Sequence, residues 1–163
     1  MTGPLERDHH FAVSTAWQGN LGSGTSGYRS YSRANELTAA GKEHPIAGSS
    51  ARPFHGNPER WNPEELLLAA LSQCHLLSYL HVATRHGIVV TGYTDDAVAT
   101  MRQVGDGGAF SEAVLRPVVT ISAGDAELAR SLHQEASRLC FIASSVNFPV
   151  RHEPTIRVAP PEG

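Results

Sequence analysis

At 163 residues the chain has room for one domain with a substantial core and little reason to hold two. Hydrophobic content of 40% with 18% charged residues is that of an ordinary globular protein, which argues against wholesale disorder. A formal net charge of −3, with scattered basic residues, argues against a surface built to coat nucleic acid or anionic membrane.

The first residues, MTGPLERDHHF, are polar and lack the apolar core and cleavage site of a signal peptide. FAVSTAW, Phe11 to Trp17, alternates apolar and polar residues at period two and predicts a half-buried strand. The glycines of QGNLGSGTSG predict a turn or mobile loop. YRSYSRANELTA is aromatic-rich and predicts two short strands, broken near Ala34–Asn35. From Gly41 to Trp61, Pro45, Pro53 and Pro58 with several Gly and Ser predict an irregular connection of a length that is often functional.

NPEELLLAALSQCHLLSYLHVATRHG, from Asn62 to Gly87, predicts a long helix. Asn62 suits the N-cap, Pro63 the first helical position and Glu65 the third, a capping-box arrangement, while Gly87 suits a left-handed stop. Its first half is apolar almost all round, which predicts burial on every side. About 24 residues make it roughly 36 Å long, more than a domain of this size covers alone, so a partner subunit is expected. The run from Leu66 to Val82 is interrupted by Ser72, Gln73, His75, Ser78 and His81, side chains costly in lipid, so no membrane association is expected. Downstream, IVVTGYTDDAVATMRQV and AFSEAVLRPVVTISA flank GDGG and predict a hairpin. GDAELARSLHQEASRLC predicts a second helix capped by Asp125, with Ala129, Leu132, Ala136 and Leu139 along one face. RHEPTIRVAP predicts a final strand. This order of elements implies an α+β fold in a single domain over residues 1–163, with flexible tails over 1–10 and 159–163.

Two cysteines are too few for a disulfide scaffold, and in the cytoplasm, the expected compartment, they would be free, catalytic or cycling. Cys74 and Cys140 each read equally as small buried hydrophobes. A nucleophilic thiol needs a nearby cation, for which Arg29 and Arg33 are candidates, and a group to hold that cation, for which Glu64 is a candidate. Glu64 also reads as a favourable first-turn charge. It lies ten residues from Cys74, about 15 Å along a straight helix, so a shared site calls for a second subunit or a bent first turn. His75 adjoins Cys74 but points elsewhere on a helix, and His81 lies seven positions beyond it, roughly on the same face. No HxxxH or CxxC spacing argues for a metal, and neither glycine run has the context of a nucleotide-binding loop.

NPEELLLAALSQCH resembles the Asn-Pro-Glu-x-Leu segment of the OsmC/Ohr family (osmotically inducible protein C and organic hydroperoxide resistance protein), which leads into the helix bearing the peroxidatic cysteine. HQEASRLCFIASSVNFPV resembles the segment with the family's resolving cysteine. The resemblance spans about Phe11 to Val158, and AWQGN, YRSYSR and SVNFPV resemble an OsmC-like branch. It implies antiparallel sheets packed around a long central buried helix in an intertwined homodimer. It further implies Cys74 as peroxidatic thiolate, Cys140 as resolving thiol and Glu64 as the acid that positions an arginine. Family members often place that arginine shortly after the first strand; here the region reads GNLGSG, and Arg29 and Arg33 are the nearest substitutes. The chemistry so implied reduces an organic hydroperoxide through a Cys74 sulfenic acid and a Cys74–Cys140 disulfide that an external dithiol reopens, with no bound cofactor. Leu67, Leu71, Leu77, Phe141 and Phe148 are the expected apolar lining. The alternatives are a hydrophobic-ligand-binding protein with inert core cysteines and a thiol hydrolase or acyltransferase pairing Cys74 with a histidine.

Overall fold

The computed structural model describes residues 6–160. Of the expected tails, residues 1–5 and 161–163 lie outside the described residues; residues 6–10 form no regular element, and Ala159 N donates to Ile121 O at 2.8 Å. The chain divides into two compact units, one through Leu66 and one from Leu67.

The first unit is built on an antiparallel sheet of β1 (Ser14–Trp17), β2 (Asn35–Thr38) and β3 (Ile46–Gly48), in that order. The strand expected from Phe11 starts at Ser14, which pairs with Thr38, the last residue of β2, so Phe11 to Val13 have no ladder to join. The strand expected over YRSYSR is irregular instead. Arg33 donates to the carbonyls of Tyr28 (2.6 Å) and Tyr31 (2.8 Å), and its guanidinium lies over both rings, at 4.5 and 4.2 Å from their centroids. Ser32 Oγ accepts from Ala34 N, and Asn35 Nδ2 donates to Arg33 O. These local bonds offer the backbone an alternative to a ladder. The irregular connection expected after Gly41 does contain a strand, β3, which pairs with β2 and is followed by a 3₁₀ turn at Arg52–Phe54. Trp61 N donates to Ala47 O and Ser49 N to Trp61 O, closing the far edge of β3 and leading into the helix.

That helix, α1 (Pro63–Arg85), has the punctuation its sequence predicts. Glu65 N donates to Asn62 Oδ1 (2.9 Å) and Asn62 N to Glu65 Oε2 (3.4 Å), a reciprocal capping box. At its end Gly87 takes a left-handed φ of 70°, Gly87 N donates to Thr84 O and Ile88 N to Ala83 O, a Schellman closure.

The second unit adds β4 (Val89–Asp95), β5 (Val98–Val104), β6 (Gly107–Leu115), β7 (Pro117–Ala123), α2 (Ala126–Leu139), β8 (Val150–His152) and β9 (Thr155–Val158). The hairpin expected at GDGG joins β5 to β6 through a two-residue turn in which Gly105 has φ 61°. Both flanking segments are cut in two, because Asp95 Oδ1 accepts from Arg116 N at 2.6 Å and pins the corner where one sheet gives way to the next. The sheets run β4-β7-β9 and β5-β6-β8. Each is mixed, since the expected final strand is split at Pro154 and its halves β8 and β9 join different sheets in parallel.

Tyr79, Val82, Ala83, Ile88, Val119, Ile121, Ala129, Leu132 and Ala136 form the core. Tyr79 OH donates to Ala129 O at 2.9 Å, tying α1 to α2. Along α1 only Leu71, His75, Tyr79, Val82 and Ala83 are buried, one face at three- and four-residue spacing. The all-round burial expected of α1 is therefore absent within the chain: Leu77 on the other side is 60% exposed. Length and composition alone would let α1 cross a bilayer, yet its inner face packs on protein and carries a buried histidine. On α2, Asp125 Oδ1 accepts from Leu128 N at 2.7 Å. Leu139, expected on the inner face, is instead largely exposed.

Asp125→Ala, which removes only a cap, should lower stability by about 1 kcal/mol. Ile121→Ala, which opens the core, should cost about 2–5 kcal/mol. Equal losses in urea denaturation of the two variants would contradict this account of the core.

Candidate active site at the two thiols

Cys74 sits midway along α1, half-buried; Cys140 caps the C-terminus of α2 and is 1% exposed. The fold thus brings together two cysteines 66 positions apart in sequence, and both are free thiols. Cys74 lines a pocket with Leu139, Phe141 and Ile142, the residues flanking Cys140, and the two thiols are close enough to influence each other's titration. Burial pushes the Cys140 thiol up to about 11, and the neighbouring Cys74 thiol adds to the rise, while Ala143 N–H, which donates to Cys140 Sγ at 3.4 Å, opposes it. The Ser144 N–H and hydroxyl both donate to Cys140 O at 3.1 Å, fixing the turn that leaves α2.

A pocket of about 580 Å³ opens over Cys74. Its apolar wall comes from Ala70 and Leu77 of α1 and from Leu139, Phe141 and Ile142 after α2; Gln73, Ser78 and His81 supply the polar groups. On α1 these positions follow the helical repeat and mark the exposed side. Of the expected lining, Leu77 and Phe141 are in place. Leu71 is instead 1% exposed in the core, Phe148 packs on Phe110 at 5.3 Å, and Leu67 is not in the wall. His81 reaches the pocket, as its seven-residue offset from Cys74 predicts.

Glu64, Arg29 and Arg33 belong to the first unit. Glu64 Oε2 is buried without a hydrogen-bond partner. Arg33 is committed to the Tyr28 and Tyr31 carbonyls and stacked on both rings, whereas Arg29 is exposed.

Sequence reasoning overlooked a group behind Cys74. His75 turns inward, as adjacency on a helix requires, and its Nε2 lies 3.0 Å from His133 Nδ1 on α2, one ring donating and the other accepting. His152 of β8 packs on His75 with ring centroids 4.2 Å apart, and Tyr79 stacks on His133 at 4.0 Å. Burial is the main cause that lowers His75 to about 3, with His152 and His133 adding to it. Burial likewise lowers His133 to about 4, helped by His152 and Arg130. Burial lowers His152 as well, against the pull of Asp95. The available signal was positional: His75 stands four residues from both Leu71 and Tyr79, and His133 between Ala129 and Ala136, each on a core-facing stripe. Among the described residues no group of three or more His, Cys, Asp or Glu is arranged to hold a metal ion.

Fold and site define an α+β protein with two neighbouring thiols on separate helices. The family model described as OsmC-like protein matches residues 56–155, and the chain belongs to that family. An OsmC-like protein of unknown function from Vibrio cholerae is similar in structure, with a TM-score of 0.80 and 28% identity over 90% of this chain and 99% of that one. An organic hydroperoxide resistance protein from Elizabethkingia anophelis, crystallised with thiocyanate, shares the fold at TM-score 0.68 and 16% identity, over 95% of this chain and 100% of that one. A further Vibrio cholerae structure, described as a possible organic hydroperoxide resistance protein with captopril in one of its active sites, gives TM-score 0.66 and 18% identity over 94% and 95%. No curated protein matches the sequence significantly.

Alkylation should separate the thiols: in native protein at about pH 8, iodoacetamide modifies Cys74 before Cys140, which is both buried and mostly protonated. Mass spectrometry of timed samples checks this, and in denaturant the two should react alike.

Proposed function

We propose that the protein is a thiol-dependent peroxidase that reduces organic hydroperoxides to alcohols. The observation that carries this reading is the nearness of Cys74, in the wall of an apolar pocket, to the buried thiol of Cys140, whose neighbours Leu139, Phe141 and Ile142 line the same pocket. Cys74 as thiolate attacks the terminal oxygen of ROOH; the O–O bond breaks, RO⁻ leaves and takes a proton to give ROH, and Cys74 becomes a sulfenic acid. Cys140 then attacks the Cys74 sulfur, forming the disulfide and expelling water, and an external dithiol restores both thiols by exchange. The raised proton affinity of Cys140 suits this order, because it keeps the second thiol unreactive until the first is oxidised. The apolar wall favours a greasy R group over hydrogen peroxide, at ~25 cal/mol per Å² of apolar surface buried.

A homodimer is part of the proposal. It would cover the exposed Leu77 side of α1 and bring an arginine, Arg29 or Arg33, to the unpartnered oxygen of Glu64 and to the thiolate. Arg29 is exposed and the less committed of the two. The expected compartment is the cytoplasm, where dithiol reductants are available.

Mixing reduced protein with cumene or tert-butyl hydroperoxide should consume two thiols per peroxide; persistence of both thiols with no peroxide consumed defeats the reading. Cys74→Ser should lower turnover by about 10³-fold or more. Cys140→Ser should permit a first oxidation that cannot resolve, and normal turnover in that variant would exclude the two-cysteine cycle. The apolar pocket also favours a second reading, a binding protein for a hydrophobic ligand with inert cysteines. It predicts slow alkylation of Cys74 and a ligand that raises Tm without redox change.

A further inference from the structure

The buried histidines form a contact between the two helices that carry the thiols. Cys74 directly precedes His75, and Cys140 follows His133 by seven residues, two turns or about 10 Å along α2. The His75–His133 bond and the Tyr79 contacts to His133 and to Ala129 O help seat α2 on α1 over this stretch, beside the apolar packing of Leu132 and Ala136. Both rings are almost fully buried, at 1% and 3% exposed.

The bond needs one unprotonated ring nitrogen as acceptor, and burial favours keeping both rings neutral. A neutral imidazole has one N–H. One ring donates between His75 Nε2 and His133 Nδ1, so in either tautomer one outward nitrogen is bare and the other carries a hydrogen. Those outward nitrogens, His75 Nδ1 and His133 Nε2, are buried with no partner, as is His152 Nε2. A first proton would keep the N–H···N bond but bury a charge; a second would set N–H against N–H at 3.0 Å.

The surroundings do little to accept such charge. On α1 the neighbour is Tyr79, and on α2 Arg130, which opposes a cation at His133. From β8 comes His152, itself basic, and from β4 come Tyr93 and Asp95. Asp95 favours a cation only at His152, and its oxygens already accept from Ser72 Oγ and Arg116 N.

We propose that the His75–His133–His152 cluster is an acid-sensitive clamp that holds α2 in register on α1, so that acidification releases Cys140 from Cys74 and stops disulfide closure. As regulation of the thiol pair this rests on the peroxidase reading, but the clamp itself can be tested without any hydroperoxide. The sign follows from linkage. The rings hold protons less tightly in the clamped state than in water, where a free histidine titrates near about 6.5. The clamp is therefore complete above that pH and is lost as pH falls through and below it.

The experiment uses dithiodipyridine as oxidant. One protein thiol displaces thiopyridone and forms a mixed disulfide with the other pyridyl sulfur. The second thiol then either attacks that mixed disulfide, closing Cys74–Cys140 with release of a second thiopyridone, or attacks fresh reagent and becomes labelled. Both fates use the same second thiol, so its own protonation cancels from the ratio of doubly labelled to closed protein, which mass spectrometry reads. Between about pH 7.5 and 4.5 the wild-type ratio should rise, by up to about tenfold per pH unit for each proton taken up. In His75→Phe/His133→Phe, which puts apolar rings at both positions and leaves only His152 to take up a proton, it should rise much less steeply. A flat wild-type profile, or the same rise in the double variant, overturns the clamp. Should the double variant fail to fold, the single variants His75→Phe and His133→Phe decide: each takes up one proton fewer on opening, so its ratio must rise less steeply than the wild type's, and an unchanged slope in both overturns the proposal. Peroxide turnover plays no part, so failure of the peroxidase reading leaves this result intact, and the reverse also holds.

Discussion

The second unit is organised by the way α1 divides its circumference. One stripe, through Leu71, His75, Tyr79 and Val82, packs on α2 and the sheet core; the other, through Ala70, Cys74, Leu77 and His81, is left as a pocket wall. A helix with apolar residues on both stripes gains from burying either, so the sequence does not choose by hydrophobicity alone. The choice is made by groups that need specific partners. Tyr79 needs an acceptor for its hydroxyl and finds Ala129 O, and His75 needs a ring nitrogen and finds His133. Once those two are satisfied, Cys74 can only face outward, towards the turn that carries Cys140.

The environment makes the thiols unequal. Cys140 is buried, close to Cys74 and held by the turn after α2, and burial raises its proton affinity. Cys74 opens on the pocket. Such a pair matches a sequence of events in which one sulfur meets the substrate and the other waits. The same low-polarity surroundings keep the histidines neutral, so shielding of the second thiol and the helix contact behind the first have one physical origin, exclusion of water.

Much of this was legible in the sequence where the signal is local. The capping box at Asn62 and Glu65, the left-handed Gly87, the Gly105 turn and the Asp125 cap all depend on residues a few positions apart, and each is present. The family was legible because the Asn-Pro-Glu-x-Leu segment and the second cysteine stretch are continuous. What escaped depends on distant partners. YRSYSR looks like a strand until Arg33 is seen gripping two carbonyls, and β3 looks like loop until β2 lies beside it. His75 and His133 are 58 positions apart, and either alone is an ordinary histidine on a core stripe. The apolar circumference of α1 argued for burial all round, but a single chain has no further layer with which to cover Leu77.

The split at Pro154 sets when the molecule can become complete. Residues 150–152 finish one three-stranded sheet and residues 155–158 the other, each by a parallel pairing with a strand that precedes it by some 35 positions. His152, the third ring of the buried cluster, arrives on the same segment. During synthesis both sheets therefore wait with an open edge until nearly all of this stretch has been made, and then close together. Pairings that join distant segments form late and slowly. Neither sheet of the second unit can therefore be completed before this short segment is in place.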